Sequence, residues 1–142
     1  MNSLKLGHFV VLKREYPCKV IEIAKSAPGK HGHAQYNVVG IDLLTDKKHN
    51  ELFKHHDHYV SPTVSRTQFT GMTIDEDGYL SIFDEKDSER TDLKLTDETM
   101  AAEVRQLEEE YGEFQVEIMK IVMPHDGPTY ERILSVSKVK TK

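Results

Sequence analysis

The chain has 142 residues, is 37% apolar and 30% charged, and carries a formal net charge of −5, which suits a globular protein of one domain or two small ones with no low-complexity tract. Apolar runs such as Phe9 to Leu12 are far too short to span a bilayer, and Met1 to Leu6 lacks a signal peptide's apolar core, so neither a membrane partner nor a leader is expected. Cys18 is the single cysteine, which excludes an internal disulfide and fits the cytoplasm or the nucleus.

Residues 8–13 and 18–25 predict strands, separated by Glu15-Tyr16-Pro17. Apolar, β-branched runs, Cys18 to Ala24 and Tyr36 to Leu44, then flank Ser26-Ala27-Pro28-Gly29-Lys30-His31-Gly32-His33-Ala34. Pro28, Gly29 and Gly32 break the strand pattern, so this segment is the tip of a long hairpin. Glycine has no Cβ, so the backbone beside Lys30 can approach another surface closely, and the lysine is presented rather than packed.

A strand near 34–44, a turn at Thr45-Asp46-Lys47, a strand near 48–54 and a short one at Tyr59-Val60 follow. Short strands, tight turns and no helix predict a small SH3-like barrel over residues 1–65. Ser61 to Ser65 is polar and without period, and is expected to be a linker.

The pattern restarts over 66–142. Gln68 to Ile74 and Tyr79 to Phe83 flank Asp77-Gly78, a strong hairpin signal. A charged loop, Asp84 to Arg90, leads to a short strand near Asp92 to Leu95. Thr96 is expected to cap a helix over 97–110, with Asp97 and Glu98 in its first turn. Met100, Val104, Leu107 and Tyr111 recur at helical spacing on its core side, Glu108-Glu109-Glu110 form a solvated face, and Gly112 stops the run. Strands near 114–123 and 129–138 close the sequence. Three strands, a helix and two strands is the order of an OB-fold, so the fold class is mostly β with one main helix.

Charge divides with the domains. Through Arg66 there are 10 Lys and Arg against 6 Asp and Glu, a net of +4; the remainder has 9 against 18, a net of −9. Seven of the eight histidines also lie in the first part. A positive half favours phosphate and an acidic half is repelled by it, so any RNA is met mostly through the first domain.

Gly29-Lys30-His31-Gly32-His33-Ala34, followed by Val39-Gly40-Ile41-Asp42, closely resembles eukaryotic translation initiation factor 5A, a relative of bacterial elongation factor P. Tyr16-Pro17-Cys18-Lys19, Thr45 with Lys47-Lys48, Asp77-Gly78-Tyr79-Leu80-Ser81 and Asp92-Leu93 continue the match, which spans nearly the whole chain. The loop is less basic than in many members: Ala27 and Gln35 stand where lysine is common, Pro28 where threonine is, and Asp46 replaces a common glycine.

The resemblance implies that the chain is not an enzyme but a translation factor, and that Lys30 is the lysine converted to hypusine. Deoxyhypusine synthase transfers an aminobutyl group from spermidine, and deoxyhypusine hydroxylase completes the modification. No separate cofactor is implied. The partners implied are the ribosome, through its RNA and proteins, and peptidyl-tRNA; the action implied is to promote peptide-bond formation at stalled sequences such as consecutive prolines, and to assist termination. A primary amine is the nucleophile such a transfer needs, and arginine, always charged, could not replace it. The added atoms lengthen the side chain by roughly 6 Å and bring a second cation suited to phosphate. Gly29 and Gly32 keep the arm slim, and His31 and His33 can donate to phosphate or stack on a base.

Other readings compete. A P-loop fails on spacing, since Ala24 and His31 stand where a glycine and a Ser or Thr are required. A metal site drawn from His49, His55, His56, Asp57 and His58, with His31 and His33, lacks the paired spacing of zinc ligands, and no metal ligand is assigned. A plain RNA-binding module with an unmodified lysine is the alternative from another class. Against it, Tyr36, Phe53, Tyr59, Phe69, Tyr79 and Phe83 mostly look like core rather than a stacking platform.

Overall fold

Phe9-Val10-Val11-Leu12 is mostly aromatic and β-branched, side chains that fit a pleated, half-buried surface. It forms strand β1 (Phe9–Leu12) in the computed structural model, which describes residues 4–26 and 34–140. β2 (Tyr16–Ser26), β3 (Gln35–Asp42) and β4 (Lys48–Lys54) continue one antiparallel sheet in the order β1-β2-β3-β4. Strict alternation in β3 turns Tyr36, Val38, Gly40 and Asp42 inward and fixes the register. Leu4, Val10, Leu12, Cys18, Val20, Val38 and Phe53 fill the core beneath. Gly40 crosses β2 so closely that a Cβ there would lie 2.6 Å from the Cys18 Cβ. The sheet curls until its edges meet: the Lys13 N–H donates to the Glu51 carboxylate at 2.6 Å and the Val11 N–H to the Val60 carbonyl at 2.9 Å. This is the SH3-like half. Tyr59-Val60 forms no strand; the Val60 carbonyl accepts that bond instead.

The β1–β2 turn is tight. Lys13 and Arg14 have φ of 55° and 61°, and the Glu15 N–H returns to the Leu12 carbonyl at 3.1 Å, a type I′ geometry. Asn-Gly is the usual occupant; an ordinary L residue held there costs roughly 1–2 kcal/mol.

β5 (Thr63–Ile74), β6 (Leu80–Phe83), β7 (Glu89–Arg90), β8 (Phe114–Val122) and β9 (Thr129–Ser137) form the second sheet, ordered β7-β6-β5-β8-β9, with helix α1 (Glu98–Tyr111) between β7 and β8. This is the OB-fold half, its core built on Leu80, Ile82, Val104, Phe114, Val116 and Ile118. By compactness the chain divides into one unit of Met1–Val64 with Ile121–Tyr130 and another of Ser65–Lys120 with Glu131–Lys142. The β8–β9 connection repeats the turn just described: His125 and Asp126 have φ of 59° and 58°, and the Gly127 N–H reaches the Pro124 carbonyl at 3.2 Å. Among the described residues no helix is long and apolar enough to cross a membrane.

Several expectations change. Part of the expected linker is strand, because β5 begins at Thr63; Pro62 sits just before it, where no N–H is missed. Asp92 to Leu95 is not a full strand, although the Leu80 N–H donates to Leu93, the Leu95 N–H to Gly78, and Tyr79 bridges Lys94. Asp97, not Thr96, caps α1: it is extended at φ −73°, ψ 114°, and its carboxylate accepts from the Met100 N–H at 2.9 Å. Asp is the stronger cap, and Gly112, left-handed at φ 76° with its N–H donating to the Glu108 carbonyl, ends the helix after Tyr111. Tyr111 is 44% exposed rather than core, under the Lys138 Nζ at 4.6 Å from its ring. Glu108 is not simply solvated, since its carboxylate accepts from the Ile74 N–H at 3.3 Å.

The two edge strands of the second sheet are fastened by a side chain. Arg90 on β7 makes a two-pronged bond to Glu131 on β9, both N···O distances 2.8 Å, and also pairs with Asp92 at 2.8 Å. Fork-to-fork geometry makes such pairs stronger than ordinary surface ones. The bond from Arg90 holds the Glu131 carboxyl below its usual range against the opposing effect of burial. A depressed carboxyl stabilises the fold above its unfolded pKa, near 4.5, and that stabilisation is lost as pH falls through the lower folded value. Glu131→Gln is therefore expected to cost about 1–2 kcal/mol at pH 7 and much less near pH 3, measured by denaturant unfolding across pH. An equal cost at both pH values would show that the charge on Glu131 is not what closes the sheet.

Candidate functional site

β2 and β3 remain paired well beyond the end of β1. The last β1 partner on β2 is Lys19, whereas β2–β3 pairing runs on to Ser26↔Gln35, about 26 Å along the strand from Cys18↔Asp42. A register shift between Val20 and Glu22 leaves Ile21 as an extra, 41% exposed residue, and such a bulge bends the strand. β4 follows on the far side, pairing Tyr36↔Phe53 and Gln35↔Lys54. The predicted site residues Gly29, Lys30, His31, Gly32 and His33 lie outside the described residues. Their support is therefore a three-stranded extension, with β2 leading in at Ser26 and β3 leading out at Gln35.

The base of that extension is built from two layers. Tyr36 and Phe53 are buried in the sheet's core, and the Lys25 Nζ lies 5.9 Å from the centre of the Tyr36 ring. The aromatic face steadies the lysine while its head stays in water. Lys54 lies opposite Gln35, and the exposed His55 and His56, edge to face at 5.0 Å, follow it. The Asp57 carboxylate accepts from the Lys54 N–H at 2.8 Å and so holds the end of β4. Lys25, Lys54, His55 and His56 thus share the end of the sheet from which residues 27–33 leave. The two amines attract phosphate by charge, and imidazole N–H groups can donate hydrogen bonds to it.

His49 does not join them. It sits at the other end of β3–β4, its Nε2 3.0 Å from the buried Asp42 carboxylate and its ring stacked on Tyr16 at 3.8 Å. Burial pushes the Asp42 carboxyl up, but bonds from the Leu44 N–H, His49 and Thr45 outweigh it and hold the group below its usual range. Burial, with the Asp42 charge added, pushes the Cys18 thiol up to about 12, so it stays protonated and unreactive. Among the described residues no group of His, Cys, Asp or Glu is placed to hold a metal ion; His31 and His33 lie outside the described residues.

The aromatic residues divide. Tyr36 and Phe53 are buried, Tyr59, Phe69 and Phe83 half-buried. Tyr79 departs from the core reading at 42% exposed, with the Lys94 Nζ 5.7 Å from its ring. The placement of Lys54, His55 and His56 at the Gln35 end of β3 was not apparent in the sequence, because it depends on the β3–β4 register.

Comparison with known proteins matches both halves. A family model described as translation initiation factor 5A-like, N-terminal, matches residues 1–57, and one described as eukaryotic elongation factor 5A hypusine, DNA-binding OB fold, matches residues 63–124. The chain is 36% identical over 118 residues to eukaryotic translation initiation factor 5A of Dictyostelium discoideum, covering 83% of this chain and 73% of that one. It is 40% identical over 102 residues to factor 5A-5 of Solanum tuberosum, covering 71% and 63% respectively. A solved structure of a translation initiation factor 5A family protein from Naegleria fowleri superposes with a TM-score of 0.80 at 34% identity, over 95% of this chain and 93% of that one. The factor from Methanococcus jannaschii, at 24% identity and a TM-score of 0.63, shares the fold. An SH3-like half with a long lysine-bearing hairpin, an OB-fold half with its helix after the third strand, and both matched family models lead to one conclusion: this chain belongs to the translation initiation factor 5A family.

Proposed function

We propose that this chain is a hypusine-dependent factor of translation elongation and termination, acting from the cytoplasm as a binding factor rather than an enzyme. Lys30 accepts the aminobutyl group of spermidine from deoxyhypusine synthase, and deoxyhypusine hydroxylase completes the modification. The lengthened side chain then enters the ribosome beside peptidyl-tRNA and favours peptide-bond formation where the chain stalls, as at consecutive prolines. Gly29 and Gly32 keep the approach narrow, and His31 and His33 meet RNA or the modifying enzymes.

The observation that carries this reading is the three-stranded extension of a family member, running past the end of β1 and ringed by Lys25, Lys54, His55 and His56. Long-range attraction between that end and ribosomal phosphate orients the arm before contact, while the second domain, with its excess of carboxylates, is held away from RNA.

Intact mass tests it. Protein purified from its own source is expected to be heavier than the bare chain by one aminobutyl or hydroxyaminobutyl group, placed on Lys30 by fragmentation. Protein from a bacterial host without the synthase is expected to have the bare mass. Bare Lys30 in the native source would sink the hypusine reading in favour of an unmodified RNA-binding module.

A further inference from the structure

We propose that the hollow beside the β1–β2 turn binds a small organic anion with an apolar body, its charge held by Arg14 and His125. The body would lie against Val11, Val60, Met123 and Pro128. The hollow has a volume of about 390 Å³, within the range of small-molecule sites, and every residue lining it belongs to the first unit.

Charge selects the ligand class. No carboxylate lines this hollow; Asp126, next to His125 in sequence, is not part of its wall. A neighbouring hollow of about 340 Å³ shares Val11, Arg14 and Val60 but adds Glu51 and Asp57. Those two carboxylates already accept from the Lys13 and Lys54 N–H groups, so an anion belongs on the other side of Arg14. Neither Arg14 nor His125 makes a side-chain hydrogen bond or ion pair among the described residues. Both remain free to bind.

Backbone strain is the second, independent observation. Arg14 and His125 each occupy a central position of a type I′ turn, at φ of 61° and 59°, where glycine or asparagine would sit more easily. Strain of this kind accumulates at sites that clamp ligands. Here two strained turns from distant parts of the sequence line the same apolar hollow.

The test uses the full-length chain with 1-naphthoate as probe and the uncharged 1-naphthamide as control, followed by calorimetry and by the methyl resonance of Met123. The naphthoate is expected to bind with a Kd on the order of 0.1–1 mM, and the amide at least about fivefold more weakly. Arg14→Gln is expected to weaken naphthoate about tenfold. Arg14→Gly should weaken it as much while raising the melting temperature, because glycine relieves the turn; His125→Asn should show the same pair of opposite changes. Equal binding of acid and amide, no shift of Met123 up to about 5 mM naphthoate, or unchanged affinity in Arg14→Gln would overturn the proposal. A fall in melting temperature for both Arg14→Gly and His125→Asn would overturn it too, since the turns would then not be strained.

Discussion

Lys30→Arg is expected to abolish read-through of consecutive prolines in extract depleted of the endogenous factor, while folding stability stays within about 0.5 kcal/mol of the parent. Arginine retains the positive charge and nearly the same reach. A contact that needs only charge at Lys30 would therefore survive in part, and its salt dependence would persist. What arginine lacks is an amine that can be deprotonated and alkylated. The substitution thus separates modification from electrostatics in one step, and a reporter carrying a run of prolines reads the difference. Activity equal to the parent would place the function in the unmodified basic end of the sheet, with Lys25 and Lys54 as its cations. A companion variant, Lys54→Gln, is informative only as a contrast: it removes one exposed positive charge at the end of β4 and, on the proposed function, should weaken ribosome association in a salt-dependent way while leaving Lys30 intact.

Gly71→Ala is expected to destabilise the second unit by about 3 kcal/mol, the upper end of what overpacking usually costs. Gly71 lies in β5 at a register shift, and a Cβ built on it falls 2.1 Å from Cε2 and 2.4 Å from Cζ of Phe114. Phe114 has no exposed surface and packs within the Leu80, Ile82 and Val116 core, so its ring cannot swing aside as a surface chain would. The missing side chain at 71 is the space the ring occupies. A double-mutant cycle with Phe114→Leu identifies the cause: Phe114→Leu alone should destabilise, yet in the Gly71→Ala background it should cost much less or even restore stability. Additive losses in urea unfolding would move the explanation from steric conflict to the backbone of β5.

Local chemistry revealed most of the fold because most of its elements announce themselves locally. The alternation of Tyr36, Val38 and Gly40, the Asp77-Gly78 turn, and the spacing of Met100, Val104 and Leu107 each express a period or a steric need within a few residues. Gly78 shows this directly, at φ 97° with a Cβ that would meet the Leu95 carbonyl at 2.8 Å. The start of β5 was hidden because its first residues are largely exposed, so no apolar face marks them. Tyr111 obeyed the helical period but lies in the last turn, where the helix has outrun its core. At the site, the two long strands on either side of residues 27–33 were legible, whereas the arrival of Lys54, His55 and His56 beside their ends was not. Nothing near those residues in sequence encodes it; the pairing of Gln35 with Lys54 does. The clasp from Arg90 to Glu131 is likewise a meeting of two edges that no local pattern could foretell.

The first unit is discontinuous, since residues 121–130 belong to it while 65–120 do not. Ile121 is fully buried and Met123 nearly so. Synthesis runs from the N-terminus, so the half made first must wait for some of the last residues to emerge before its structure is complete. Until then the nascent N-terminal half lacks part of its own packing. A premature stop after residue 120 would consequently damage both halves, and cleavage between 64 and 65 would not release the first as an intact module. The chain is two units in space but a single unit of manufacture.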